Sequence, residues 1–112
     1  MQTRTKHIFL NAATTASSSG TYPCDYRFDS GGLQRNLYGY LTSGAEINIY
    51  TNFYDPDTKT LLFSHLEDTV SAGSSSYTTA TNSFATVVNG PVEAIRIEKV
   101  GASGTATVVG IL

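Results

Sequence analysis

Short runs of β-branched and aromatic residues recur along this chain, each closed by a cluster of Gly, Ser, Asn or Pro, and no stretch carries a convincing amphipathic helix period. Runs of that length between turn residues suit paired strands, and their spacing predicts a sandwich or barrel. Strands are expected near 6–14, 20–28, 34–41, 46–53, 60–67, 76–88 (with a break at Thr81-Asn82), 92–100 and 105–112. Lys59 to Val70 is the one segment able to wrap a helical turn, through Leu61, Leu62, Phe63 and Leu66; the surrounding β-content favours a strand. With 112 residues and a 40% hydrophobic fraction, there is material for a single core, so the chain reads as one domain over 1–112, with 1–6 as an extended N-terminal arm.

The clearest strand is Glu46 to Phe53. There Ile47, Ile49, Thr51 and Phe53 share one face, and Glu46, Asn48, Tyr50 and Asn52 the other. Thr42-Ser43-Gly44-Ala45 before it has the length and composition of a hairpin loop joining it to Leu37–Leu41. Two registers are open. If Leu41 pairs with Glu46, Tyr38 and Tyr40 join the core face. If Leu41 pairs with Ile47, the leucines turn inward, Gly39 becomes a break in the core face, and Tyr38 sits opposite Tyr50 outside. The second is favoured because it pairs like with like. Asp55-Pro56-Asp57 reads as a type I turn capped by Asp55, and Asn89-Gly90-Pro91 as the turn that starts another strand. Ala12–Ser19 and Ser71–Ser76 read as exposed loops.

Side chains suited to covalent or acid–base chemistry are scarce. The chain has two His, one Cys and no Trp, and only 14% of its residues are charged. A lone Cys24 closes no intrachain bridge, which fits assembly in a reducing cytosol. Tyr22-Pro23-Cys24-Asp25 matches no nucleophile motif, and His7 and His65 lie in no zinc-ligand spacing. Asp55 and Asp57 echo a calcium loop, but Lys59 stands where a third ligand belongs. Ser71–Ser76 lacks the Lys of a phosphate loop. Glu46, Glu67, Glu93 and Glu98 are candidates for a carboxylate pair, yet alternating charges such as Glu93, Arg96, Glu98 and Lys99 suit a solvated face. The expectation is no enzyme, no cofactor and no metal.

A net charge of −2 and scattered Lys and Arg provide no field for nucleic acid. Ile8-Phe9-Leu10 is too short to be a membrane span or the apolar region of a signal peptide. Function is therefore expected in what the faces touch. The candidates are Arg4 and Lys6, which suit an acidic surface, and Tyr38, Tyr40, Tyr50 and Tyr54, because tyrosine supplies contact area at low entropy cost.

An apolar first strand running into Asn11-Ala12-Ala13-Thr14-Thr15, a middle strand Ala45-Glu46-Ile47-Asn48-Ile49-Tyr50, and a closing pair form a recognisable order. In that pair Gly90-Pro91 introduces Val92–Ile97, a turn follows at Gly101–Gly104, and Thr105–Val109 ends it. This order resembles small virion proteins of tailed bacteriophages, and by size a capsid decoration, or cement, protein. The resemblance covers most of the chain but carries no catalytic residues. It implies an all-β, single-domain antiparallel β-sandwich, jelly-roll-like, of about eight strands. It also implies a major capsid protein as partner, assembly as a homo-oligomer (dimer or trimer), and a station on the outside of the virion head. Head-fibre and tail components share the style, and a carbohydrate- or receptor-binding module is the competing class, with Asn48 and Asn52 bonding to sugar. Richer tyrosine and the Asp55-Pro56-Asp57 insertion depart from the usual pattern.

Overall fold

A computed structural model of the chain describes residues 6–23, 35–42, 44–72, 83–88 and 93–112. Nine strands lie within them: β1 (Lys6–Ala13), β2 (Ser17–Ser18), β3 (Tyr22–Pro23), β4 (Arg35–Leu41), β5 (Glu46–Tyr54), β6 (Leu61–Ser71), β7 (Ser83–Val88), β8 (Ala94–Val100) and β9 (Ala106–Ile111). They build two antiparallel sheets. Sheet A has the order β1-β9-β4-β7; sheet B has the order β2-β8-β5-β6, with β3 also on β8. Of the sandwich or barrel that the run spacing predicts, the fold is the all-β sandwich. The C-terminal part of the expected 20–28 strand, the first part of the 76–88 strand, and the Asn89-Gly90-Pro91 turn lie outside the described residues.

Alternation decides what fills the space between the sheets. Ile47, Ile49 and Thr51 of β5 point inward, with Ile95 and Ile97 of β8, and meet Leu37 and Leu41 of β4 and Val108 of β9; all are essentially inaccessible. Each fully buried Ile or Leu contributes about 1.5–3 kcal/mol. In β1, a register shift between Ile8 and Leu10 lets adjacent Phe9 and Leu10 both enter the core.

The expected hairpin between Leu37–Leu41 and Glu46–Phe53 does not form. β4 pairs with β7 and β9, and β5 with β6 and β8, so Thr42–Ala45 carries the chain from one sheet to the other. Its composition suits any tight reversal: Gly44 has φ 83° and Ala45 N donates to Thr42 O at 2.9 Å. The favoured register nevertheless has the facing of β4 right. Leu37 and Leu41 are inside, Tyr38 is outside, and Gly39 is the gap in the inner row. Phe84 of β7, paired with Gly39, fills that gap: a Cβ on Gly39 would lie 2.1 Å from its ring.

The hairpin that does form is β5–β6, around the predicted Asp55 turn. Asp55 Oδ1 accepts from Asp57 N at 2.8 Å and Thr58 N at 3.3 Å, and Lys59 takes a left-handed φ of 63°. Two expectations need correction. The stretches expected as exposed loops are partly strand: Ser17–Ser18 within Ala12–Ser19 pairs with Lys99 and Glu98, and in Ser71–Ser76 Ser71 ends β6 opposite Glu46 while Ala72 is buried. Lys99 does not join a solvated face: it is 1% exposed, and its ammonium donates to Gly101 O at 2.8 Å and Ser103 O at 3.1 Å. An odd position on β8 faces inward, so the alkyl stem packs there while the charged tip reaches the carbonyls of the exposed turn before β9.

Candidate functional site

Neither sheet is covered on its outer side by any described residue, so the sandwich presents two faces with different chemistry. On sheet A, the ladder aligns Ile8, Val109, Tyr38 and Ala85 in one row across β1, β9, β4 and β7. The next row is Lys6, Ile111, Asn36 and Val87; on the other side Tyr40 lies between Thr107 and Ser83. Ile8, Tyr38 and Val87 are exposed. Four strands thus supply a broad apolar strip with Lys6 at one margin. Ile8, Val109, Ile111 and Val87 are β-branched because strands favour such residues on both faces, and Asn36 is the polar residue set among them.

Sheet B is polar outside and already bonded to itself. The repeat Asn48-Ile49-Tyr50-Thr51-Asn52-Phe53-Tyr54 sets each Asn two residues before a Tyr on the same face. Asn48 Nδ2 donates to Tyr50 Oη at 3.4 Å, and Asn52 Nδ2 to Tyr54 Oη at 3.3 Å. The amide oxygens are used as well: Asn48 Oδ1 accepts from Thr69 Oγ1 at 2.7 Å and Asn52 Oδ1 from Ser64 Oγ at 2.5 Å. The Arg96 guanidinium lies 4.2 Å from the centre of the Tyr50 ring and also bonds Ser18 Oγ and Glu98. The groups a sugar would need are engaged within the sheet, and Tyr50 has a cation over its ring.

The far end of β5–β6 differs again. β6 is exposed along nearly its whole length, on both faces, and carries Leu61, Leu62, Phe63 and Leu66 into solvent. Phe63 stacks on Phe53 at 4.9 Å, and Glu67 Oε1 accepts from Thr51 Oγ1 at 3.0 Å within a bulge of the β5–β6 ladder.

No family model and no curated protein matches this chain. Among solved structures, the crystal structure of the SPBc2 prophage-derived protein YomS is similar to it, with 18% identity, a TM-score of 0.48, and coverage of 96% of this chain and 90% of that one. A likeness of this extent assigns no function.

Of the sequence candidates, Lys6, Tyr38 and Tyr40 come together on the outer face of sheet A, whereas Tyr50 and Tyr54 lie on sheet B, on the opposite side of the molecule. The expected opposition of Tyr38 and Tyr50 is lost with the hairpin. Arg4 and Cys24 lie outside the described residues. Lys6 opens β1, paired with Ile111, instead of belonging to an arm. His7 is packed between Phe9 at 4.7 Å and Tyr22 at 4.6 Å, a ring cluster that ties β1 of one sheet to β3 of the other. The four glutamates are dispersed: Glu93 Oε2 accepts from Tyr54 N at 2.6 Å, Glu98 pairs with Arg96, Glu67 bonds Thr51, and Glu46 opens β5. Sequence reasoning missed Ile8, Val87 and the apolar stretch of β6. The last had a legible signal, since Leu61-Leu62-Phe63 breaks alternation and must place apolar groups on both faces.

Proposed function

We propose that this chain is a structural virion protein of a tailed bacteriophage, a decoration protein that docks on the outside of the head at junctions between major capsid subunits. The observation that carries this reading is the exposed apolar strip of sheet A, bounded by Lys6 and bearing Tyr38 and Tyr40. A contiguous patch of that kind on a small domain marks a contact surface. Two further points support it: the resemblance in segment order, and the strand order. With β2 and β3 as one interrupted strand, we read four strands facing four as a jelly roll, an architecture used in viral shells. The fold alone does not carry the function.

A protein that binds the assembled lattice and not the dispersed subunit shifts assembly toward the lattice, by mass action alone. A domain of 12.0 kDa supplies about 800 Å² to a standard interface. Oligomerisation multiplies such footprints, and the linked contacts then hold far more tightly than one.

Intact particles should contain the chain in fixed stoichiometry with the major capsid protein, and the purified protein should co-sediment with expanded shells lacking it. I8K and V87K, which charge the strip at exposed positions, should abolish co-sedimentation with the circular dichroism unchanged. Absence of the chain from purified particles, or undiminished shell binding by both variants, removes the proposal.

A further inference from the structure

The β6 edge is the longest strand edge in the described structure and carries four of its exposed large apolar side chains, more than any other strand. Among the described residues β6 pairs with β5 alone, so from Leu61 to Leu66 the backbone groups on its other side meet no described strand. Natural edges are blunted by lysine, proline or shortness. Glu67, Asp68 and two register shifts against β5 interrupt this edge, but Leu61–Leu66 contains no Lys, Arg, Asp, Glu or Pro, and Leu61, Leu62, Phe63 and Leu66 are 53%, 59%, 56% and 47% exposed.

From this edge we infer that two copies of the chain associate through β6, antiparallel across a two-fold axis near Ser64, joining two sheets B into one continuous sheet. Three features select a second copy as the occupant. An antiparallel strand pair about a two-fold axis is self-complementary, so one edge meets its own copy without a second surface. The order of residues fits that operation: an axis at Ser64 sets Leu62 of each copy against Leu66 of the other, and Phe63 against His65. Charge keeps the axis away from the C-terminal half of β6. Glu67 and Asp68 are the acidic residues of β6, and pairing centred on them would oppose like charges, which is unfavourable. Centring on Ser64 instead sends them to the two ends of the joint, opposite Leu61 and Thr60.

The area is adequate. The four exposed apolar side chains offer roughly 400 Å² per copy, about half of the ~800 Å² per partner of a standard interface. The paired backbone and the polar side chains of the same strand supply the remainder. Because Phe63 and Leu66 project to opposite sides of the sheet, the joint is apolar above and below the ladder.

The test is analytical ultracentrifugation of the full chain. At about 100 μM the wild type should sediment with twice the 12.0 kDa chain mass, and L62K and L66K should each raise the dimer dissociation constant at least ~10-fold. V87K, an equally exposed site on sheet A, should leave the dimer intact. Circular dichroism of each variant separates lost association from lost folding, and since Leu62 and Leu66 are already in solvent, the fold should tolerate both. A wild-type monomer at that concentration, or dimers that lose as much affinity with V87K as with L66K, overturns the inference. The pairing stands apart from the virion reading, because a monomer still presents the sheet A strip to a shell and loses only the added tightness of linked copies.

Discussion

Substituting Gly39 by Ala tests the packing of the inner face of sheet A at a single atom. The added Cβ would lie 2.1 Å and 2.3 Å from two ring carbons of Phe84 and 2.8 Å from Thr107 O, where ordinary contact begins at 3.4 Å. The ring, half-buried where it packs against the core, would have to retreat by about 1.3 Å. The carbonyl belongs to β9, held between β1 and β4, and has less freedom than the ring. Overpacking of this kind costs about 1–3 kcal/mol, less a few tenths for the smaller backbone entropy of Ala in the unfolded chain. In urea, G39A should lower the transition midpoint with the m-value unchanged. F84A, which removes the ring, should make the same glycine change cheaper, leaving a coupling of about 1–2 kcal/mol in the double-mutant cycle. If G39A unfolds within about 0.5 kcal/mol of wild type, or its cost is the same with and without Phe84, the glycine does not exist to seat that ring.

Two further measurements probe the turn end of the sandwich. K99M should unfold within about 1 kcal/mol of wild type, because exposed Gly101 and Ser103 can give their carbonyls to water, while K99A loses the stem and should cost about 2–4 kcal/mol. Equal losses in urea melts would instead assign the stabilisation to the ammonium. T42V should cost about 1–2 kcal/mol, since Thr42 Oγ1 accepts from Thr105 N at 2.6 Å and a valine leaves that donor without an acceptor. T42S keeps the oxygen and should melt near wild type in the same assay.

Strand positions were legible because alternation and turn chemistry are local. Ile47, Ile49 and Thr51 could be read as inward from alternation, although Asn52 on the other face is buried as well and Phe53 is only half-buried, and Asp55 announced its own turn. Partner choice was not legible, because it is set by distant segments. Nothing in Thr42–Ala45 distinguishes a hairpin from a crossover between sheets, since both need a tight reversal with a left-handed glycine. The tyrosines were divided for the same reason: with β4 and β5 in different sheets, Tyr38 and Tyr50 back onto opposite sides of one core. Lys99 was misread because charge outweighs parity in a sequence pattern, whereas in the sheet its place after Ile95 and Ile97 decides. Ile8 and Val87 look like any core residue until the ladder shows which side of β1 and β7 they occupy.

The place of β9 in sheet A has a consequence during synthesis. β1 has its ladder with β9, from Lys6 opposite Ile111 to Ala13 opposite Ala106, and β4 takes the other side of the same strand. On the ribosome, β1 therefore emerges long before its hydrogen-bonding partner exists, and Phe9 and Leu10 stay available to holdase chaperones throughout. Closing such distant pairings is slow compared with local ones. Sheet A is thus expected to zip only after β9 clears the exit tunnel, with β5–β6, the most local of the ladders, already in place to receive it.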